Sequence, residues 1–237
     1  MPEQDFPYCG PAPFPGNIWA AWNTDPLLLA GLAMFGAVLA WRAVNPKAAA
    51  IAWAGLILAF VSPLCALTVA LFSARAAHHL VIVTLAAPAL AIAWPMMSRV
   101  PAALSLAGLT AVMVAWNLPL IYTAMWGSDA VYWALQLAML GTAWAFWSAV
   151  LSDGEPIAQR ALLTGGLAGV MGLIGAILTF APNIMFFQHI DGAVAWGLDP
   201  LADQQLAGLV MWVPGFVPVA VIAALMLRRG WQRGFAA

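Results

Sequence analysis

Long apolar runs, each about the length that crosses a bilayer, alternate along this chain with short breaks carrying proline, glycine or charge. A hydrocarbon core of about 30 Å takes about 20 apolar residues in an α-helix. The pattern predicts seven spans, at 26 to 43, 48 to 70, 76 to 95, 101 to 121, 131 to 151, 159 to 180 and 201 to 227. Backbone groups in lipid must be satisfied within their own segment, so runs of this kind are helical. The expected fold is all-α, a polytopic membrane helix bundle with seven transmembrane helices. Residues 1–24 form an extended tail without the basic and apolar regions of a signal peptide, and 25–237 form a single transmembrane domain.

Local signals refine these elements. Asp25-Pro26 and Asp199-Pro200 each put a capping acid before proline at the first helical position, where its missing N–H costs nothing. Pro63, Pro88 and Pro214 fall inside the second, third and seventh spans and are expected to bend them. Gly165, Gly169 and Gly172 share one face of the sixth, which predicts close approach of a neighbouring helix.

Composition agrees with the pattern: 65% of the 237 residues are hydrophobic and 7% charged, against about a quarter charged in soluble domains. A net charge of -1 and no basic stripe exclude nucleic acid as a partner and leave membrane lipid as the solvent. Placing the N-terminus outside and the C-terminus in the cytoplasm puts Arg42, Lys47, Arg99, Arg160, Arg228, Arg229 and Arg233 inside, with Arg75 alone outside. Glu3, Asp5, Asp25, Asp129, Asp191, Asp199 and Asp203 then lie outside. An aromatic belt is expected from Trp22, Tyr122, Trp126, Tyr132, Trp133 and Trp196 at the outer interface, and from Trp41, Trp94 and Trp231 at the inner one.

Polar groups at membrane depth are expensive and ask for a partner or a purpose. His78 and His79 open the third span, Cys65 lies near the outer end of the second, and Asn117 and Gln136 near those of the fourth and fifth. Met185 and His189 sit in the loop after the sixth span. Asp203, Gln204 and Gln205 start the seventh, with Met211 two turns deeper. All of them fall on the outer side, whereas Asp153, Glu155 and Arg160 read as solvated charges of an inner loop. Histidine, cysteine, methionine and carboxylate together are copper ligands. His78, His79, Asp203, Met211, Cys65 and His189 are therefore the candidate metal set. Adjacent helical residues point about 100° apart, so His78 and His79 do not both aim at one centre, and Gln204 shares a face with Met211 where Asp203 does not. A hydrogen-bonded structural cluster is the competing reading and the one that chemistry alone favours. Arg75, Asn117, Gln136, Gln204 and Gln205 are assigned structural or partner-binding roles, with Arg75 expected in an ion pair with Asp203. Cys9 reads as tail, and spacing leaves open whether it pairs with Cys65. No nucleophilic triad, phosphate loop or midplane charge is legible, so neither an enzyme nor a transporter is expected.

The string LAFVSPLCALTVALFSARAAHHLVIVTLAAPALAIAWP resembles the CtaG family of membrane proteins, implicated in assembly of heme-copper cytochrome c oxidases. AWNLPLIYTAMW, the AFW of the fifth span, LTFAP and LADQQLAGLVMWVPG continue the likeness over residues 25 to 230, with Asp203 to Gly215 its most specific block. The resemblance highlights Ser62, Pro63, His79, Asp203, Gln204, Gln205, Gly208, Met211, Trp212 and Pro214. It also shows departures, since Asn117 and Gln136 stand where many members carry histidine. It implies a bacterial cytoplasmic (inner) membrane protein that helps mature a respiratory oxidase by handling copper for its binuclear centre at the outer face. The implied partner is an oxidase subunit or a copper-carrying protein. A non-metal scaffold is the first alternative and a heme-handling protein the second.

Overall fold

Small polar caps and proline open the first helices. The side chains of Asp25, Asn45 and Ser62 accept from the amides of Leu27, Ala48 and Leu64, and a proline follows each cap at the first helical position. In the computed structural model, which describes residues 7–96, 100–152, 154 and 156–235, the helices are α1 (Pro26–Arg42), α2 (Pro46–Phe60), α3 (Pro63–Ala70), α4 (Phe72–Leu80), α5 (Ala87–Ala93), α6 (Ala102–Trp116), α7 (Pro119–Trp126), α8 (Asp129–Leu151), α9 (Ile157–Thr179), α10 (Ile190–Ala195) and α11 (Pro200–Phe235). Among the described residues there is no strand. Glu3, Asp5, Arg99, Asp153 and Glu155 lie outside the described residues, as do the side chains of Arg229 and Arg233.

Among the described residues, four segments are long and apolar enough to cross a membrane: 72–93, 129–151, 157–179 and the 200–232 stretch of α11. Two bent pairs, α2 with α3 at 43° and α6 with α7 at 74°, bring the number to six if each is one span. The expected first span forms as α1, a 17-residue apolar helix shorter than the others. The expected prolines act differently from one another. Pro63 starts α3 after a break at Val61 and Ser62, Pro88 follows a π-helical stretch at Val81–Ala86, and Pro214 sits with Pro218 inside continuous α11. The third span begins at Phe72 rather than 76, so Arg75, His78 and His79 occupy helix interior instead of its mouth.

Packing corrects two further expectations. Added Cβ atoms at Gly165, Gly169 and Gly172 would meet nothing within 4 Å, so that face of α9 is open. The close approach instead occurs one turn on, where the buried backbones of Gly175 on α9 and Gly208 on α11 touch and fix the pairing of these two helices. Tyr122 and Tyr132, expected at an interface, are core residues at 0% and 2% exposure, while Trp22 and Trp41 are exposed as a belt requires. One end of the bundle gathers the α1, α8 and α11 starts, the α3–α4 turn and the tail. This end is the tail side of the bundle.

Candidate functional site

Leu71 is a single extended residue between α3 and α4, and its side chain cannot cap the helix it precedes. The cap comes from elsewhere in the chain. Asp203 of α11 accepts from the amide of Phe72 at 2.6 Å through Oδ2, and through Oδ1 from the amide of Ser73 at 3.2 Å and from the Ser73 hydroxyl. A carboxylate at a helix start satisfies orphan amides and meets the positive end of the helix dipole. The expected Arg75–Asp203 ion pair is therefore not formed. Arg75, 2% exposed rather than in an outer loop, donates from Nη2 to the Thr68 carbonyl at 3.1 Å. Its guanidinium also lies 5.6 Å from the Trp116 ring centre and 5.4 Å from that of Tyr122, and Nε and Nη1 have no hydrogen-bond partner.

Around Arg75 polar and apolar side chains leave little room. A chamber of about 10 Å³, the size of one water, is lined by Arg75, His79, Trp116, Asn117 and Met211 among others. His79 packs on Trp116 at 4.6 Å with Nε2 unpartnered, while His78 turns away to Phe60 at 5.3 Å with both ring nitrogens unpartnered. Adjacent residues on α4 thus serve different surroundings, as helix geometry requires. Asn117 donates from Nδ2 to the Met113 carbonyl.

The loop after α9 folds over this region. Gln204 accepts from the Met185 amide at 2.7 Å and donates to the Asn183 carbonyl, and Gln205 donates to the Ala181 carbonyl. Gln204 and Met211, expected on one face, therefore act apart, one on the loop and one in the chamber. Gly192 of α10 rests on the Ala70 backbone so closely that a Cβ would overlap it. Beneath α10 the buried His189 Nε2 and the Tyr122 hydroxyl share a hydrogen bond at 2.6 Å.

Burial pushes the His189 imidazole from 6.5 down to about 3, the Arg75 charge adds to the shift, and the Ala70 and Val69 carbonyls oppose it. The unfolded chain therefore takes up this proton first, so stability is full above pH 6.5 and falls as the pH drops toward 3. Melting temperatures across that window are expected to fall less steeply in His189→Gln than in the parent protein. Equal slopes would remove His189 as a contributor.

Cys9 and Cys65 form a disulfide, so Cys9 is tied down rather than loose tail and Cys65 carries no free thiol. The bond ties the tail to α3 beside Asn23, whose amide lies 3.8 Å from Cys65 Sγ, and Tyr132, whose hydroxyl lies 3.5 Å from Cys9 Sγ. Trp196 donates to the Pro13 carbonyl and joins the tail to the α10 loop. Gln136, at 1% exposure, has no hydrogen-bond partner for its amide nitrogen or oxygen.

The expected copper set is thus dispersed. Cys65 is oxidised, Asp203 caps α4, His189 bonds Tyr122 and His78 faces Phe60, which leaves His79 and Met211 on one chamber. Among the described residues no three of histidine, cysteine, aspartate and glutamate gather as a metal site. The Arg75 cation lines the same chamber, and like charge disfavours a metal ion there. Two donors, His79 and Met211, are fewer than a closed copper centre takes.

Sequence reasoning missed Tyr122, Trp116, Thr68 and Ser73 as partners of the polar core. The available signal was an arginine inside an apolar run, which has to find carbonyls or aromatic faces. Neither a curated protein nor a solved structure matches the chain. The family model for the cytochrome c oxidase caa3 assembly factor (Caa3_CtaG) matches residues 101–233, more than half of the chain, and covers the Tyr122–His189 pair and the Asp203–Met211 segment. This polar-cored helix bundle belongs to the cytochrome c oxidase caa3 assembly factor family.

Proposed function

We propose that the chain is a non-catalytic scaffold that holds a transmembrane helix of an oxidase subunit during assembly, and that its tail side faces the outer compartment. The observation that carries the reading is the open ridge of α9, where Gly165, Gly169 and Gly172 at i, i+4 and i+7 have no neighbour within 4 Å of an added Cβ. Small residues let a second helix backbone approach closely, and the equivalent approach inside this bundle is already taken by Gly175 and Gly208. The Cys9–Cys65 bond supports an outward tail, because disulfides persist in oxidising compartments. The excess of lysine and arginine at the other end supports the same orientation.

The test is affinity capture of oxidase subunits from membranes. Gly169→Leu is expected to lose the captured subunit while its melting temperature stays at the parent value. Undiminished capture with Gly169→Leu and Gly165→Leu together would overturn the scaffold.

A second reading keeps copper, favoured by the imidazole of His79 and the thioether of Met211 on one chamber, a pairing that suits Cu(I). Metal analysis after Cu(I) exposure decides it. Stoichiometric copper that disappears in His79→Ala supports this reading, and its absence from the parent protein removes it. The same preparation tests heme handling, since bound heme gives an intense Soret band.

A further inference from the structure

Helix α1 has only two buried residues, Leu28 and Leu39, and packs mainly against α2. Its other flank does not close on α8, and a cavity of about 560 Å³ lies between them. That volume falls in the range of small-molecule sites, about 300–1,000 Å³. Leu32 and Phe35 of α1, Phe60 of α2, and Trp133 and Leu140 of α8 make its walls apolar, so water finds too few partners inside. Exposed Leu27 and Leu137 at its edges leave it open sideways. An apolar space that opens sideways between membrane helices is filled by the lipid around it.

Shape and charge narrow the occupant. The cavity runs from Asp25 to Phe35 along α1 and from Asp129 to Leu140 along α8, a depth of about 15 Å, which is half of a hydrocarbon core of about 30 Å. One leaflet's acyl chain fits that depth. At the mouth stand the carboxylates of Asp25 and Asp129 with the Tyr8 hydroxyl, and among the described lining residues there is no lysine or arginine. Tyr8 donates to Asp25 at 2.5 Å, and this hydrogen bond holds the Asp25 carboxyl below its usual range, so it carries its charge at neutral pH. An anionic headgroup is repelled here and an ammonium is attracted.

We propose that this cavity is a binding site for one phospholipid with a primary ammonium headgroup, of the phosphatidylethanolamine class, its acyl chain lying between α1 and α8. The site is separate from the Arg75 chamber and from the α9 ridge, so the test does not depend on the proposed scaffold. The full-length protein is titrated in detergent with equal amounts of synthetic phosphatidylethanolamine and phosphatidylglycerol of identical chains, and bound lipid is read by native mass spectrometry. The parent protein is expected to prefer phosphatidylethanolamine about fivefold, the scale of one headgroup charge near a fixed charge. Asp129→Asn is expected to reduce that preference, with the Asp25 carboxylate left at the mouth. Gly31→Phe, whose new ring enters open space in the cavity, is expected to lose bound lipid with an unchanged melting temperature. Equal retention of both headgroups by the parent protein, or lipid retention unaffected by Gly31→Phe, would overturn the assignment. So would a prenylated quinone or heme that co-purifies in place of the lipid. If Gly31→Phe does not fold, the headgroup preference of the parent protein and of Asp129→Asn still decides.

Discussion

Asp203→Ala is expected to lower the melting temperature by about 6–12 °C, more than any other single polar substitution in the bundle. The side chain removed accepts from two backbone amides, those of Phe72 and Ser73, and from the Ser73 hydroxyl, all in buried surroundings. Each buried donor left without an acceptor costs about 1–3 kcal/mol, and adjacent losses share part of that cost, so a total of about 3 kcal/mol is expected. For a chain of this size each kcal/mol shifts melting by about 2–4 °C. The damage spreads because α4 begins at Phe72, whose ring stacks on Phe186 at 4.0 Å and also lines the Arg75 chamber. Asp203→Asn retains one carbonyl acceptor and is expected to lose about half as much. Thermal unfolding of the detergent-solubilised protein, followed by circular dichroism, measures both. A melting temperature of Asp203→Ala within about 2 °C of the parent would show that water or another side chain caps α4 instead.

That role for Asp203 shows where sequence reading succeeds and where it stops. Its position just inside a helix start, after Asp199-Pro200, was legible, because capping acids and N1 prolines act locally. Its partner was not, because the helix it caps lies 130 residues earlier in the chain and begins four residues ahead of where hydropathy alone places it. The string FSAR interrupts the apolar run, so a hydropathy reading starts the span after Arg75. The protein instead buries Arg75 by giving it the Thr68 carbonyl and two aromatic faces. The helical content and the gathering of polar residues at one end follow from solvent chemistry that every residue reports independently. Which of those polar residues meet depends on the α3–α4 turn and on the loop that Gln204 and Gln205 pin. Neither leaves a periodic trace. The disulfide was open for the same reason, since only the path of the tail brings Cys9 to Cys65.

Gly208→Ala is expected to be the most disruptive of the glycine substitutions on α9 and α11, although it adds a single methyl group. An added Cβ would overlap the Gly175 carbonyl oxygen and the Thr179 side chain and lie 2.7 Å from the Thr179 amide nitrogen. The first and last of these are backbone atoms, which cannot turn aside as a side chain can, so α9 and α11 must separate along the most extensive helix pairing in the fold. Overpacking of this kind costs about 1–3 kcal/mol where side chains yield, and the upper end is expected where backbone must move. Gly169→Ala, on the same α9 but facing open space, is expected to leave melting unchanged or to raise it slightly, since alanine is the better helix former by about 1 kcal/mol. The contrast separates helix propensity from contact, because both substitutions are glycine to alanine within membrane-length helices. Separation of α9 from α11 also shifts Asp203, Gln204 and Gln205, which lie one turn up the same helix. Gly208→Ala is therefore expected to loosen the 181–189 loop as well, seen as faster amide exchange at Met185, whose N–H is held by Gln204. Parent-like melting and parent-like exchange at Met185 together would show that the bundle accommodates the methyl group without parting the two helices, and the close glycine crossing would then not be what fixes the loop above it.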